Sequence, residues 1–166
     1  MNTIEKLGDE ETFRNIVERT ITEFEDSEIE VIGSYAFYDC SKLTSVSFPV
    51  ATSIGNSAFD DCDALTSVSF PAATSIGSSA FNTCSALTSV SFPAATSIGY
   101  YAFYSCSKLT TLYIGTESDT VCTLSNTNAI PSNVTDIYVP EALVDSYKTA
   151  TNWSSFANKI KAYTGV

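Results

Sequence analysis

Apolar residues return to the same phase every 22 positions through most of this chain. Phe37, Phe59, Phe81 and Phe103 form one series. Cys40, Cys62, Cys84 and Cys106 form a second, and Leu43, Leu65, Leu87 and Leu109 a third. Val46, Val68, Val90 and Leu112 follow, then Phe48, Phe70, Phe92 and Ile114. Ile32, Ile54, Ile76 and Ile98 open the next turn of the cycle, each followed by glycine. A unit of this size cannot enclose its own apolar side, whereas stacked units turn each series into a buried ladder. The pattern therefore predicts a solenoid.

Within one unit, L-T-S-V-S-F-P alternates as a strand does, with Val46 and Phe48 on one face and Ser45 and Ser47 on the other. Leu43 should enter the core from the bend leading into the strand. Pro49, Pro71 and Pro93 lack an N–H and should end each strand. T-S-I-G predicts a second short extended segment, with Gly55, Gly77 and Gly99 permitting the turn that follows. The A-F pair should close the core from the opposite side through a turn or short helical piece.

The ends depart from the repeat. Residues 9–21 predict an amphipathic helix, with Phe13, Ile16, Val17 and Ile21 on one face. Asp9, Glu10 and Glu11 sit near its start, where negative charge is favourable. The segment after it, up to about Asp26, should be a degenerate first repeat strand, with Phe24 in phase with Val46 and Ile21, in phase with Leu43, at the boundary and fitting either element. After Ile114 the pattern weakens, with one more extended segment expected around Val121–Leu124. V-T-D-I-Y-V-P, Val134–Pro140, then restores it with a three-residue expansion. The tail predicts two short helices forming a lid. Leu143, Val144 and Tyr147 mark the first. Asn152 should cap the second, in which Trp153, Phe156, Ala157 and Ile160 share a face. The expected organisation is a single domain: 1–26 as helical cap plus degenerate repeat, 27–114 as regular repeats, 115–140 as an expanded repeat and 141–166 as a helical cap.

The recurring signature I-G-x-x-A-F-x-x-C-x-x-L-T-S-V-x-F-P resembles the leucine-rich repeats of the bacterial BspA-like, or Treponema pallidum, type. It recurs in register from Ile32 and relaxes to L-T-T-L-Y-I-G at Leu109. The resemblance implies an α/β solenoid with a parallel β-sheet on its concave face and irregular or 3₁₀ segments opposite. It also implies an extracellular or cell-surface protein with an adhesive or protein-binding role. The closing segment from Ile137 to Ser154 resembles that of gut-bacterial and phage-encoded relatives, so a virion component is an alternative.

Charge and chemistry narrow the function classes. The 166 residues carry nineteen acidic and eight basic side chains, a formal charge of −11. Ten of the acidic residues lie within the first thirty positions. This balance opposes nucleic-acid binding and attachment to anionic membranes. No run of eighteen apolar residues predicts membrane insertion. The N-terminus lacks the basic start and apolar run of a signal peptide. Histidine is absent, which removes His-based triads and Cys–His pairs. No phosphate-binding loop is present. The cysteine spacing suits a ladder of free thiols better than zinc ligands. Asp60, Asp61 and Asp63 lack the ligand order of a calcium loop and predict a solvated turn. No cofactor or metal is expected, and a hydrolytic enzyme is the weakest reading.

The candidate contacts are surface positions. The strand face should display Ser45, Ser47, Ser67, Ser69, Ser89 and Ser91, joined at the bends by Thr44, Thr66 and Thr88. Its last regular strand adds Thr111 and Tyr113. Tyr100, Tyr101 and Tyr104, like Tyr35 and Tyr38 earlier, surround the A-F pair and suit either partner or cap contacts. Together these point to a noncatalytic scaffold for a protein or glycan partner.

Overall fold

The computed structural model describes residues 3–4 and 20–165. Thirteen short strands occur among them. They are β1 (Thr3–Ile4), β2 (Glu23–Glu25), β3 (Val31–Ile32), β4 (Ser45–Ser47), β5 (Ser53–Ile54), β6 (Ser67–Ser69) and β7 (Ser75–Ile76). The series continues with β8 (Ser89–Phe92), β9 (Ser97–Ile98), β10 (Thr111–Ile114), β11 (Thr123–Leu124), β12 (Asp136–Pro140) and β13 (Ile160–Tyr163). An α-helix, α1, spans Val144–Thr149. Each L-T-S-V-S-F-P segment supplies one strand of a front sheet, and each T-S-I segment one strand of a second sheet. All pairings are parallel. The fold is a solenoid of leucine-rich repeats.

Register follows the repeat. Val46 lies opposite Val68, and Ile54 opposite Ile76. Phe24 in β2 lies opposite Val46, so the degenerate first strand is present. Val121–Leu124 provides β11, which extends the second sheet, and Ile137 lies opposite Leu112 in the front sheet. Most of the expected helix over 9–21 lies outside the described residues.

The ladders form the core. Phe37, Phe59, Phe81 and Phe103 are fully buried, as are the cysteine and leucine series. Their rings stack almost parallel, with centroids 5.0 Å apart for Phe37–Phe59, 5.1 Å for Phe59–Phe81 and 5.5 Å for Phe81–Phe103. Such pairs contribute about 0.5–1.5 kcal/mol each beyond area burial. Phe24 closes the N-terminal side of this column, lying 5.2 Å from Phe37 and 5.5 Å from Phe48.

Threonine stitches the coils together on both sheets. Thr66 Oγ1 donates to the Thr44 carbonyl at 3.1 Å, one coil earlier, and Thr74 Oγ1 does the same to Thr52 at 3.1 Å. On the third side the chain runs through turns, where the Phe37 amide donates to Ala58 O at 2.7 Å. The Phe59 amide repeats that bond to Ala80 O at 2.8 Å. The stack is thus hydrogen-bonded along three lines rather than one.

The turn side corrects the expected role of glycine. Its left-handed positions are filled by Tyr35, Ser57, Ser79 and Tyr101, and by Asp39, Asp61, Thr83 and Ser105, with φ between 51° and 62°. Bonds between coils hold these otherwise disfavoured conformations, for example Asp61 N to Asn82 O at 3.0 Å. Gly55, Gly77 and Gly99 serve close approach instead. A Cβ on Gly77 would lie 2.6 Å from the Gly55 carbonyl carbon and 2.7 Å from the Asn56 nitrogen. Backbone meets backbone there, which only glycine allows.

The C-terminal lid also differs from expectation. It runs through a 3₁₀ turn (Glu141–Leu143), α1 and a second 3₁₀ turn (Trp153–Phe156), then ends in strand β13. Ile160 is therefore in a strand opposite Ile137, not on a helix face. The physical reason is the open edge of β12, whose backbone groups need partners. Asn152 does not cap the second turn: its φ is 65°, and its Nδ2 donates to Leu124 O at 2.6 Å. Cys122 anchors the lid by its backbone. Its amide donates to the Tyr147 hydroxyl at 2.8 Å, and its carbonyl accepts from Trp153 Nε1 at 2.6 Å.

The front sheet falls into two blocks, β2-β4-β6 and β13-β12-β10-β8, while the second sheet runs unbroken from β1 to β11. The threonine bond seen at Thr44, Thr66 and Thr110 does not recur from Thr88 to Thr66. Val68, at this seam, is only partly buried, whereas Val46 and Val90 are each 2% exposed. The sequences on either side are the same, so the seam is a property of the stack.

Candidate partner-binding face

Strand register converts the repeat into columns of outward side chains. One column reads Glu23, Ser45 and Ser67 in the first block, then Ser89, Thr111 and Asp136 in the second. The other reads Glu25, Ser47 and Ser69, then Ser91, Tyr113, Tyr138 and Lys161. The front sheet is thus acidic at one end, hydroxyl-lined through the middle and aromatic at the other. Asp136 and Lys161, placed diagonally across β12 and β13, form an ion pair.

The aromatic end has a defined shape. Tyr113 and Tyr138 stack with centroids 4.9 Å apart and planes 12° apart. Tyr163 meets Tyr113 edge-on at 5.8 Å and 82°. Ser91, Pro93, Tyr113, Thr116, Glu117 and Tyr163 line a shallow cavity of about 330 Å³. That volume sits at the lower end of the range for ligand pockets, ~300–1,000 Å³. The loop above it is tied down. Gly115 N donates to Phe92 O at 3.0 Å, Glu117 N to Pro93 O at 3.0 Å, and Ser118 N to Gly115 O at 2.8 Å. A second cavity of about 180 Å³ lies beyond the stack, between Tyr113, Tyr138 and Tyr163.

The expected contacts divide accordingly. Ser45, Ser47, Ser67, Ser69, Ser89, Ser91, Thr111 and Tyr113 share the front face. Thr44 and Thr66 lie beside it, but their hydroxyl protons are used in the coil-to-coil bonds; the Thr88 carbonyl accepts the corresponding bond from Thr110 at 3.3 Å. Tyr100, Tyr101 and Tyr104 lie on the turn side and are not brought to the front sheet. They are 54%, 42% and 49% exposed, and Tyr104 lines a cavity together with Ser155 and Phe156 of the lid. Sequence reasoning missed Tyr138 and Tyr163. Laying V-T-D-I-Y-V-P over L-T-S-V-S-F-P places Tyr138 in the Ser47 column, so that signal was present. The I-K-A-Y alternation, with Lys161 and Tyr163 outward, was the corresponding sign of β13.

The buried reactive groups are structural. Cys62, Cys84 and Cys106 each donate a thiol proton to a phenylalanine carbonyl one coil earlier, at 3.1, 3.1 and 3.0 Å. No disulfide joins the five buried cysteines. Burial raises the thiols of Cys62 and Cys84, and pushes those of Cys106 and Cys122 up to about 12. Groups so hard to ionise are poor nucleophiles. Burial also raises Asp60, whose Oδ1 accepts from Asn82 Nδ2 at 2.7 Å. Asp60 and Asp61 thus brace neighbouring turns.

The BspA-type leucine-rich-repeat model matches residues 6–129, in six copies. The chain belongs to that family. Among solved structures it is similar to a leucine-rich repeat protein from Bacteroides ovatus, at 21% identity and TM-score 0.68, covering 88% of this chain and 37% of that one. It is also similar to a leucine-rich cell surface protein from Faecalibacterium prausnitzii, at 26% identity and TM-score 0.56, covering 90% and 34%. The pneumococcal vaccine antigen PcpA shares the fold at 17% identity and TM-score 0.54, covering 87% and 42%. The chain therefore spans less than half the length of these three proteins. No curated protein matches it.

Proposed function

We propose that this BspA-type chain is a noncatalytic scaffold displayed at a bacterial surface, and that its front sheet contacts a protein or glycan partner. One observation carries the reading. The outward face of the front sheet changes from serine to a preformed aromatic cavity at its C-terminal end. Rigid aromatic groups with polar tips are the side chains that dominate recognition surfaces. The description of the Faecalibacterium relative as a cell surface protein supports the location.

The test is a binding screen against host matrix proteins, glycans and whole bacterial and epithelial cells. Wild-type protein should bind at least one class, and the Tyr113→Ala/Tyr138→Ala double variant should lose that binding. Ser75→Ala, on the second sheet, should keep it. Equal binding by the double variant, or silence across the whole panel, would sink the assignment of this face.

A further inference from the structure

We propose that the cavity bounded by Tyr113, Tyr163 and Glu117 takes a cationic side chain, arginine or lysine, from a basic segment of a partner protein. The proposal rests on the front sheet being the binding face, and names what one part of it recognises.

Three features set the chemistry. Register places Tyr113 between Ser91 and Tyr138, and Tyr138 covers one face of its ring. The other face looks out over Ser91, whose small side chain leaves room. Tyr163 stands at 82° to Tyr113, so the two rings make a corner rather than a flat platform. A cation within about 6 Å of a ring centroid is attracted to its negative π-face. A corner offers two such rings to one charge, whereas a sugar ring stacks best on one flat face.

Glu117 supplies the second feature. It lines the same cavity, and its amide bond to Pro93 O holds the backbone that carries it. A glutamate lining the same cavity as two phenol rings matches a guanidinium or ammonium in charge and in hydrogen bonding. The third feature is the absence of competition. No basic residue lines the cavity, and Lys161, the one basic residue at an outward position of the described front strands, is already paired with Asp136. The chain's charge of −11 draws basic partners and repels anionic sugars and phosphates. A neutral sugar would leave this charge unused.

The test follows amide ¹H–¹⁵N shifts of the full chain during titration. The probes are an acetylated, amidated Ser-Arg-Ser-Arg-Ser peptide, its citrulline counterpart, and glucose, galactose and N-acetylglucosamine. The arginine peptide should give saturable shifts at Ser91, Tyr113, Glu117 and Tyr163, weakening as salt rises. Citrulline keeps the shape and removes the charge, so it should bind about tenfold more weakly or not at all. Glu117→Gln and Tyr113→Ala should each weaken binding roughly fivefold, and Tyr113→Phe should retain it. Melting curves identify any variant that fails to fold, and Glu117→Gln, on an exposed loop, decides the matter if Tyr113→Ala does. Equal response to citrulline, shifts confined to other residues, or no shift would overturn the proposal. A neutral sugar occupying the cavity would overturn the cation assignment while leaving the binding face intact. Silence of the whole panel in the broader screen would instead remove the binding face itself.

Discussion

The regular middle of the front sheet and its C-terminal end share a backbone and differ in their outward side chains. In β4, β6 and β8 the outward columns are serine, and each strand copies the last. In β10, β12 and β13 the same positions carry threonine, tyrosine, aspartate and lysine, and the rings interlock. Inward, the difference disappears: Val90, Leu112, Ile137 and Ile160 continue one buried row. Repetition thus supplies a rigid, regular frame, and departures from it on the solvent side supply the chemistry. A near-identical surface offers no convergence of different groups, whereas a binding cavity needs it.

The largest expected effect is at the irregular end. Trp153→Ala empties a fully buried site and leaves the Cys122 carbonyl without its indole donor, so it should cost about 3–5 kcal/mol in denaturant unfolding. If the lid were dispensable, the loss would be under 1 kcal/mol and the two ends would be energetically independent. Next, Gly77→Ala forces a methyl group into the backbone of the preceding coil and should cost about 2–3 kcal/mol. Gly165→Ala, with nothing within 4 Å of its Cβ but a φ of 72°, should cost less, about 1 kcal/mol.

Alkaline pH separates the two regions in another way. The Cys62, Cys84 and Cys106 thiols of the regular stack have folded pKa values above their ordinary unfolded range, as do Cys122 and Tyr147 at the lid. The unfolded chain therefore releases these protons first. Stability should be fully present below about pH 8.5 and should fall as pH rises, by up to about 1.4 kcal/mol per pH unit for each thiol. Tyr147, pushed up to about 12 mainly by burial, adds a further loss only above pH 10. Melting temperature against pH in reductant checks this. Cys84→Ser, which keeps a donor for Phe59 O, should reduce the slope by one thiol's share, and an unchanged slope would count against the ladder. The smallest effects concern the surface. Ser69→Ala should alter stability by less than about 0.5 kcal/mol. Tyr113→Ala should cost about 1 kcal/mol through its lost ring contacts and weaken partner capture in the binding screen roughly fivefold.

Much of this contrast was legible before the structure. The phase of Phe24 against Val46, the extended segment at Val121–Leu124 and the return of the pattern at Val134–Pro140 all follow from inward side chains with a fixed period. Residues 141–163 were harder. Their apolar spacing fits short helices, but the open edge of β12 draws the end of the chain into a strand. Gly77 looked like a turn residue because its neighbour on the preceding coil is not visible in a linear chain.

By itself, then, the sequence determined the repeat, the buried ladders and the serine columns, because each depends on positions at constant separation in one unit. Only the tertiary structure decided what depends on neighbouring coils. It assigned glycine to close approach, placed β13 on an exposed edge and opened a seam between identical strands β6 and β8. It also brought Tyr163 over to Tyr113 and Glu117, fifty and forty-six residues away along the chain, to make a corner that no single repeat contains.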